Sequence, residues 1–165
     1  MDEATFRAVM GRFATGVAVV AVRTAAGLHG VTVNAFTSVS LKPVLVLVSL
    51  DSLSTSCALV AEAGRFAVSV LSDRHEFLAD RFAGRAPLVP PDFTGAPHTL
   101  TPSGHPILDG CLAWLDCRVH ATHEAGDHTL VVAAVEALGL GTDDPPLLYW
   151  TGRFRHLGSR ADGMI

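Results

Sequence analysis

Hydrophobic and polar residues alternate along much of the chain with the two-residue period of a β-strand. These stretches are rich in β-branched residues and are bounded by Gly, Pro and Asp, which favours strands separated by turns. We expect strands at residues 17–23, 31–35, 44–50, 66–71, 112–125, 129–140, 147–150 and 154–157.

A helical period is present in the first part of the chain. The apolar stripe from Phe6 to Phe13 has its members at i, i+3, i+4 and i+7, and Gly16 closes the segment. Two further helices are predicted at residues 52–62 and 73–82, because each begins beside Ser, Thr or Asp residues that can cap a helix.

The order of these elements indicates the fold class. Adjacent strands are joined by short turns or single helices, which favours antiparallel hairpins over a parallel doubly wound sheet. Residues 84–106 contain six prolines and are predicted to lack regular structure, but they are too few to separate two domains. We therefore predict a mainly β fold, a closed or split β-barrel with a few flanking helices, as one domain over residues 1–165.

Composition and charge exclude several classes of function. The chain has 165 residues, 49% of them hydrophobic, and a net charge of -4 with no basic stripe, which argues against nucleic acid as a partner. No apolar run approaches the roughly 18 residues of a membrane span, and Asp2, Glu3 and Arg7 do not fit a secretory signal. These features predict a cytoplasmic protein without a membrane partner.

The three cysteines do not indicate a disulfide framework or a zinc site. Cys57, Cys111 and Cys117 are odd in number and form no CxxC pair. We expect buried thiols, since free cysteine is among the most buried residue types. A catalytic cysteine is the alternative, but no histidine adjoins any of the three.

The segment from Gly30 to Asp51 is the most informative part of the chain. In an extended conformation its polar side chains would share one face, and the apolar ones would share the other. The polar set is Thr32, Asn34, Ser38 and Ser40; the apolar set is Val31, Val33, Ala35 and Val39. Two interpretations remain open: a surface that holds a flat, polar-edged ligand, or an antiparallel strand with one hydrated face.

Histidines cluster around the hairpin predicted near residue 126. His120 and His123 are three positions apart and would point to opposite faces of a strand, so we expect no metal site. The Gly126-Asp127-His128 turn would project His128 from the hairpin tip, where Asp127 is placed to orient the imidazole. Ligand contact and an ordinary turn with an exposed histidine are equally compatible with this pattern.

Hydroxyl residues cluster before the second predicted helix. Ser52, Ser54, Thr55 and Ser56, together with the helix amides, suit a phosphate, although the same residues would also cap the helix. There is no Walker loop, and the Gly139-Leu140-Gly141 segment lacks the third small residue and helix of a dinucleotide fingerprint.

Taken together, these motifs resemble the short-chain flavin reductases, the reductase components of two-component flavin-dependent monooxygenases, within the FMN-binding split-barrel superfamily. The resemblance covers nearly the whole chain. It rests on residues 6–17 (FRAVMGRFATGV), 29–41 (HGVTVNAFTSVSL), 66–71 (FAVSVL), 126–130 (GDHTL) and 147–154 (LLYWTGRF), in that order.

The resemblance implies a homodimer of Greek-key split barrels that binds FMN or FAD near the subunit interface, with NADH or NADPH over the isoalloxazine ring. It also implies roles for individual residues. Thr32, Val33, Asn34 and Ala35 would line the isoalloxazine and ribityl chain beside Ser49, Leu50 and Asp51; Ser54, Thr55 and Ser56 would hold the phosphate; Phe82 would border the pocket; and Gly126, Asp127 and His128 would form the nicotinamide side, with His128 as the contact.

We expect an NAD(P)H:flavin oxidoreductase that passes a hydride from nicotinamide C4 to flavin N5 and supplies reduced flavin to a partner monooxygenase. One alternative is a flavoenzyme with tightly held FMN that acts on a small organic substrate itself. Another is a non-catalytic module that stores or senses flavin.

Overall fold

Antiparallel β-structure forms most of the molecule in the computed structural model, which describes residues 2–157. The twelve strands are β1 (Thr15–Gly16), β2 (Ala18–Thr24), β3 (Gly27–Val33), β4 (Phe36–Leu41), β5 (Val44–Asp51), β6 (Arg65–Val70), β7 (His98–Leu100), β8 (Pro106–Leu108), β9 (Ala113–Ala125), β10 (His128–Leu140), β11 (Leu147–Trp150) and β12 (Arg153–His156). The helices are α1 (Glu3–Met10), α2 (Thr55–Ala63) and α3 (Glu76–Phe82), and a 3-10 turn, Asp73–His75, precedes α3.

Seven strands form the main sheet in the order β3-β2-β6-β9-β10-β5-β4. Every neighbouring pair is antiparallel. The edge strands β3 and β4 follow each other in the chain, yet they lie at opposite ends of the hydrogen-bonded order. Separate small sheets are formed by β1-β11-β12 and by β7-β8.

The main sheet curls around one hydrophobic core. Val33 of β3 and Val48 of β5, from opposite ends of the strand order, belong to the same buried cluster as Val20, Phe66 and Val131. A flat sheet could not bring its two ends to one core, so the sheet is rolled and remains open between β3 and β4. This arrangement confirms the prediction of a mainly β, split-barrel fold with flanking helices.

Strand β2 is buried on both faces. Val20 and Val22 face the inner core, while Val19 and Ala21 belong to a second cluster on the outer face. That outer cluster also contains residues of α3, the proline-rich segment and β11: Ala79, Phe82, Phe93, Ala96 and Leu147. Burial on both faces explains why β2 has a continuous apolar sequence instead of strict alternation.

The proline-rich segment is more regular than its sequence predicted. It contains the short β7–β8 hairpin, so the expectation of no regular structure in residues 84–106 was wrong for these strands. Arg81, which is only 5% exposed, holds the residues that lead into β7. Its guanidinium donates to the Pro90 carbonyl oxygen (2.9 Å), Asp92 Oδ1 (3.0 Å) and the Thr94 carbonyl oxygen (2.7 Å).

Two helix boundaries also differ from the prediction. Helix α1 ends at Met10, before Phe13 and Gly16, while α2 begins at Thr55 because Ser54 accepts the Cys57 N–H as its N-cap. Strand β4 was not predicted as a strand separate from β3; it is an edge strand with polar residues on an exposed surface.

All three cysteines are free and buried, as predicted. Burial, reinforced by the nearby carboxylates of Asp116 and Glu136, raises the pKa of Cys117 to about 12. Burial also raises the pKa of Cys111. Both thiols therefore remain protonated and unreactive near neutral pH.

A buried polar cluster attaches the β7–β8 hairpin to the main sheet. Asp116, which is 2% exposed, accepts the Ser103 N–H at 2.9 Å and the Ser103 hydroxyl at 2.5 Å. The neighbouring His105 uses Nδ1 to accept the backbone N–H of Arg23 at 2.9 Å. This bond requires an unprotonated Nδ1, so the neutral imidazole is part of the folded structure.

Stability should fall in mild acid because of His105. Burial lowers its pKa below the ordinary value of 6.5, although Asp116 opposes the shift, and burial lowers the pKa of His29 as well. The unfolded chain therefore takes up protons first: the stabilisation is complete above pH 6.5 and is lost as the pH falls through the folded-state pKa. Urea unfolding at about pH 7.5 and about pH 5.5 measures the loss.

The His105→Asn variant should show a smaller loss between the two pH values, because its amide oxygen can accept the Arg23 N–H without titrating. The same pH dependence in this variant and in the unsubstituted protein would contradict the assignment to His105.

Candidate functional site

A cleft of about 560 Å³ lies between the N-terminal segment and the connection from β3 to β4. Residues 13–18 line one wall and residues 33–37 line the other, with Met10 of α1 and Leu47 of β5 at its margins. This volume is in the usual range for small-molecule sites, and the lining is mainly apolar. The cleft therefore suits a flat, largely apolar ring system.

The β3–β4 wall forms where the chain bends. Strand β3 ends at Val33, residues 34–35 turn, and β4 begins at Phe36. A register shift between Ser38 and Ser40 interrupts the alternation again. The prediction of one continuous polar face from Thr32 to Ser40 was therefore wrong, because the bend and the bulge each reorient the side chains that follow.

The four residues 32–35 have different environments. Val33, Asn34 and Ala35 line the large cleft. Thr32 lies in an adjoining hollow of about 120 Å³, where its hydroxyl already donates to the Ala79 carbonyl oxygen at 2.6 Å. Thr32 thus anchors β3 to α3, and the backbone bend supplies the ligand-facing surface.

Thr15 supplies an unsatisfied polar group in the opposite wall. Its hydroxyl oxygen is buried and has no hydrogen-bond partner within residues 2–157. Buried hydroxyls are normally paired, so this group is an available partner at the margin of the cleft. An apolar slot with a free hydroxyl fits the isoalloxazine ring, which has broad apolar faces and a polar edge.

A second group of predicted site residues lies at the tip of the β9–β10 hairpin. Gly126 adopts a φ of 68°, which permits the turn, and His128 pairs with Asp51 of β5. The Nδ1 atom of His128 lies 2.7 Å from Asp127 Oδ1, so the contact predicted for Asp127 is present. This hydrogen bond lowers the pKa of Asp127 and keeps its carboxylate charged.

Strand β5 connects the two groups. The Ser49 N–H donates to the Ala35 carbonyl oxygen at 3.0 Å, and Asp51 pairs with His128 in the neighbouring ladder. Ser49 and Asp51 are two positions apart, which corresponds to roughly 7 Å along a strand. The predicted ring-binding wall and the predicted nicotinamide histidine are therefore linked through β5, although they are far apart in the sequence.

The hydroxyl cluster at the start of α2 mostly serves the structure of the chain. The Ser54 hydroxyl caps α2 by accepting the Cys57 N–H and also donates to the Asp51 carbonyl oxygen (2.7 Å). The Ser56 hydroxyl lies 2.8 Å from His29 Nε2. Thr55, at the exposed first position of α2, takes part in none of these hydrogen bonds. The phosphate role of this cluster remains a prediction.

Phe82 lies behind the site. It is 2% exposed, its ring centroid is 4.8 Å from that of Phe93, and it packs over Gly30. Its neighbours Ala83 and Arg85 line the smaller hollow. Phe82 therefore supports the site through packing and does not line either cavity.

Several lining residues were not predicted individually. Residues 13–17 and Phe154 belong to the motifs that carry the family resemblance, but their pattern alone gives no ligand role, and Ala18 lies outside those motifs. Their positions depend on β1 pairing with the distant strand β11.

No group of three His, Cys, Asp or Glu residues among residues 2–157 is placed to hold a metal ion. His120 is the extra residue at a bulge, since Val119 and Ala121 pair with consecutive residues of β10. Among these same residues, no helix is both long and apolar enough to cross a membrane.

A curled, split antiparallel sheet that carries both an apolar cleft and a Gly-Asp-His hairpin is the arrangement expected of a flavin-binding split-barrel protein. The chain belongs to the flavin reductase family: residues 10–158 match the family model described as "Flavin reductase like domain".

Curated relatives resemble the chain over nearly its full length. An NADH-dependent flavin reductase from a Rhodococcus species is 42% identical over 92% of this chain and 84% of its own. The reductase component of 4-hydroxyphenylacetate 3-monooxygenase from Thermus thermophilus is 37% identical over 95% of this chain and 97% of its own.

A solved structure gives the same result. The NADH:FAD oxidoreductase SgcE6 of Streptomyces globisporus C-1027, in complex with NAD and FAD fragments, superimposes with a TM-score of 0.89 at 34% identity. The match covers 98% of this chain and 96% of that chain.

Proposed function

We propose that this protein is an NAD(P)H-dependent flavin reductase that reduces FMN or FAD and supplies the reduced flavin to a partner monooxygenase. The observation that carries the proposal is the apolar cleft of about 560 Å³, whose wall at Ala35 is linked to His128 through Ser49 and Asp51 of β5. The relatives named as NADH-dependent flavin reductases and monooxygenase reductase components support the same activity. We propose that residues 1–165 act as one domain.

Each wall of the cleft has a defined task in this proposal. Residues 33–35 and 13–18 hold the flavin ring between apolar surfaces, and Thr15 offers its hydroxyl to the polar edge. The chemistry is hydride transfer from nicotinamide C4 to flavin N5, which the two nucleotides themselves supply. The protein contributes orientation and exclusion of water.

His128 is proposed to contact the nicotinamide side of the site. Its Nδ1 is engaged by Asp127, which fixes the ring and leaves Nε2 as the nitrogen available to a ligand. The imidazole side chain is 45% exposed, so an incoming nucleotide can reach it without rearrangement of the hairpin.

The start of α2 is proposed to bind the flavin phosphate. Thr55 and the first amides of α2 supply donors at the positive end of the helix dipole. The Asp51 carboxylate lies close by, since its Oδ1 accepts the Leu53 N–H at 2.8 Å. This negative charge weakens phosphate binding, which is compatible with a flavin that is released after reduction.

Anaerobic absorbance tests the activity directly. Purified protein mixed with FMN or FAD and with NADH or NADPH should bleach the oxidised flavin band, and the four combinations reveal which nucleotides are used. Gel filtration before the assay distinguishes a released flavin, which is lost from the protein, from a tightly held one. Protein that binds flavin but never accelerates bleaching would refute the reductase and favour a storage or sensing module.

We also propose that the protein is a homodimer. Large apolar side chains are exposed at the end of β4 and near the end of β10: Leu41 is 84% exposed, Leu138 64% and Leu140 92%. Leu138 and Leu140 lie two positions apart on β10, and contiguous exposed apolar residues are typical of protein interfaces. Light scattering should give about twice the 17.3 kDa chain mass, and Leu140→Asp should shift the protein towards the monomer. A monomeric unsubstituted protein would refute the dimer.

We further propose that the protein acts in the cytoplasm. The three cysteines are unpaired thiols, as expected for a protein of a reducing compartment. Flavin reductase activity recovered outside the cytoplasmic fraction of the source cells would contradict this location.

A further inference from the structure

The first part of the outer wall of the large cleft, up to Gly16, has little hydrophobic anchorage of its own, whereas Val17 and Ala18 at its end belong to the buried clusters. This wall consists of Met10 and residues 13–18. Helix α1, from which it extends, contains no buried residue. Met10 and Phe13 are 51% and 72% exposed. Packing of its first residues therefore does not explain how the wall keeps its position against the sheet.

Backbone contacts from the β11–β12 hairpin hold this wall. The Thr151 N–H donates to the Gly11 carbonyl oxygen at 2.8 Å. Further along, Thr15 and Gly16 of β1 pair with Tyr149 and Leu148 of β11. The wall is thus attached to the hairpin at its beginning and at its end.

Trp150 supplies the side-chain contact between these two attachments. Its indole Nε1–H donates to the Arg12 carbonyl oxygen at 3.2 Å, across 138 positions of sequence. The Arg155 guanidinium carbon lies 5.9 Å from the centre of the Trp150 ring, where a cation–π contact can steady the indole. Trp150 directly precedes the hairpin turn, in which Thr151 and Gly152 both adopt positive φ, at 50° and 77°.

We propose that Trp150 is a positioning residue for ligand binding: its indole N–H holds the Arg12 carbonyl and so keeps residues 13–16 at the distance from residues 33–37 that a flavin ring requires. This inference rests on the proposed flavin reductase function. Trp150 does not line the cleft, so it acts through the wall and not by touching the ligand.

The conservative variant Trp150→Phe removes the N–H donor and keeps an aromatic ring. Trp114→Phe is the matched control, because Trp114 packs over Gly139 in the β9–β10 hairpin and lines neither cavity. We expect Trp150→Phe to raise the KM for flavin by about threefold to tenfold, the range for loss of one hydrogen bond. The kcat and the melting temperature should change little, and Trp114→Phe should leave the KM unchanged.

Amide hydrogen exchange gives a readout that does not depend on catalysis. In the Trp150→Phe variant, residues 11–16 should exchange faster than in the unsubstituted protein, whereas the β9–β10 hairpin should be unaffected. An unchanged KM with unchanged exchange in residues 11–16 would overturn the proposal. If the unsubstituted protein reduces no flavin, the proposed function fails, and the exchange comparison still decides whether Trp150 holds the wall.

Discussion

Replacement of Gly141 by Ala should destabilise the protein by about 3 kcal/mol, which corresponds to a fall of about 6 to 12 °C in Tm for a chain of this size. A Cβ atom at this position would overlap the Cys111 carbonyl oxygen and lie 2.9 Å from the Cys111 carbonyl carbon. The obstacle is backbone, so no side-chain rotation can relieve it.

The surrounding hydrogen bonds prevent an easy adjustment. The Gly141 N–H donates to the Leu112 carbonyl oxygen at 2.8 Å, and the Thr142 N–H donates to the Cys111 carbonyl oxygen at 3.1 Å. Separating the two segments enough to admit a methyl group would weaken both bonds. This close approach of Gly141 to Cys111 joins the end of β10 to the turn before β9, so the strain would fall on the longest hairpin of the sheet.

Thermal unfolding of Gly141→Ala and Gly16→Ala, each without ligand, measures the effect. Gly16 is the matched control, because a Cβ there would meet nothing within 4 Å and its φ is not in the left-handed region. We expect the control to change stability by less than about 0.5 kcal/mol. Equal melting temperatures for the two variants would show that the backbone at Gly141 and Cys111 can move apart with little loss of stability.

The β9–β10 hairpin shows which part of a fold local sequence can predict. Its strands were expected at residues 112–125 and 129–140, and they occupy Ala113–Ala125 and His128–Leu140. Long alternation and a Gly-Asp turn determine such a hairpin locally. Strand β4 was not predicted as a separate strand because its residues are polar or exposed. Strands β7 and β8 were missed because each has only three residues in a proline-rich segment, too few to show a period.

The site was predictable only where local geometry decides it. The contact between Asp127 and His128 follows from adjacent residues at a turn, and the capping role of Ser54 follows from the start of a helix. The use of the Thr32 hydroxyl by Ala79 depends on how α3 packs against β3, which no local pattern contains.

The outer wall of the cleft illustrates the same limit over a longer range. Thr15 and Gly16 face residues 33–37 because they pair with Tyr149 and Leu148 near the other end of the described chain. Family resemblance identified both segments as motifs, yet only the three-dimensional pairing shows that one holds the other.

Substitution of His128 by Ala should raise the KM for the nicotinamide nucleotide by about tenfold while changing flavin affinity by less than about twofold. Removal of one hydrogen bond to a ligand typically costs about 1.4 kcal/mol, which is a tenfold change in binding. The side chain lies at the hairpin tip beside Asp51, whereas the ring-binding wall is formed by residues 33–35 and 13–18. The two ligands should therefore respond differently.

Steady-state kinetics with varied nicotinamide nucleotide, together with flavin titration by fluorescence, separates the two effects. His123→Ala is the control, because His123 is an exposed histidine on β9 that pairs with Leu130, two positions along β10 from His128. Asp127→Asn keeps an oxygen near Nδ1 but removes the charge, so a smaller rise in the same KM should follow if Asp127 orients the imidazole. A KM for His128→Ala equal to that of His123→Ala would remove the nicotinamide role of His128, and a matching loss of flavin affinity would assign His128 to the flavin instead.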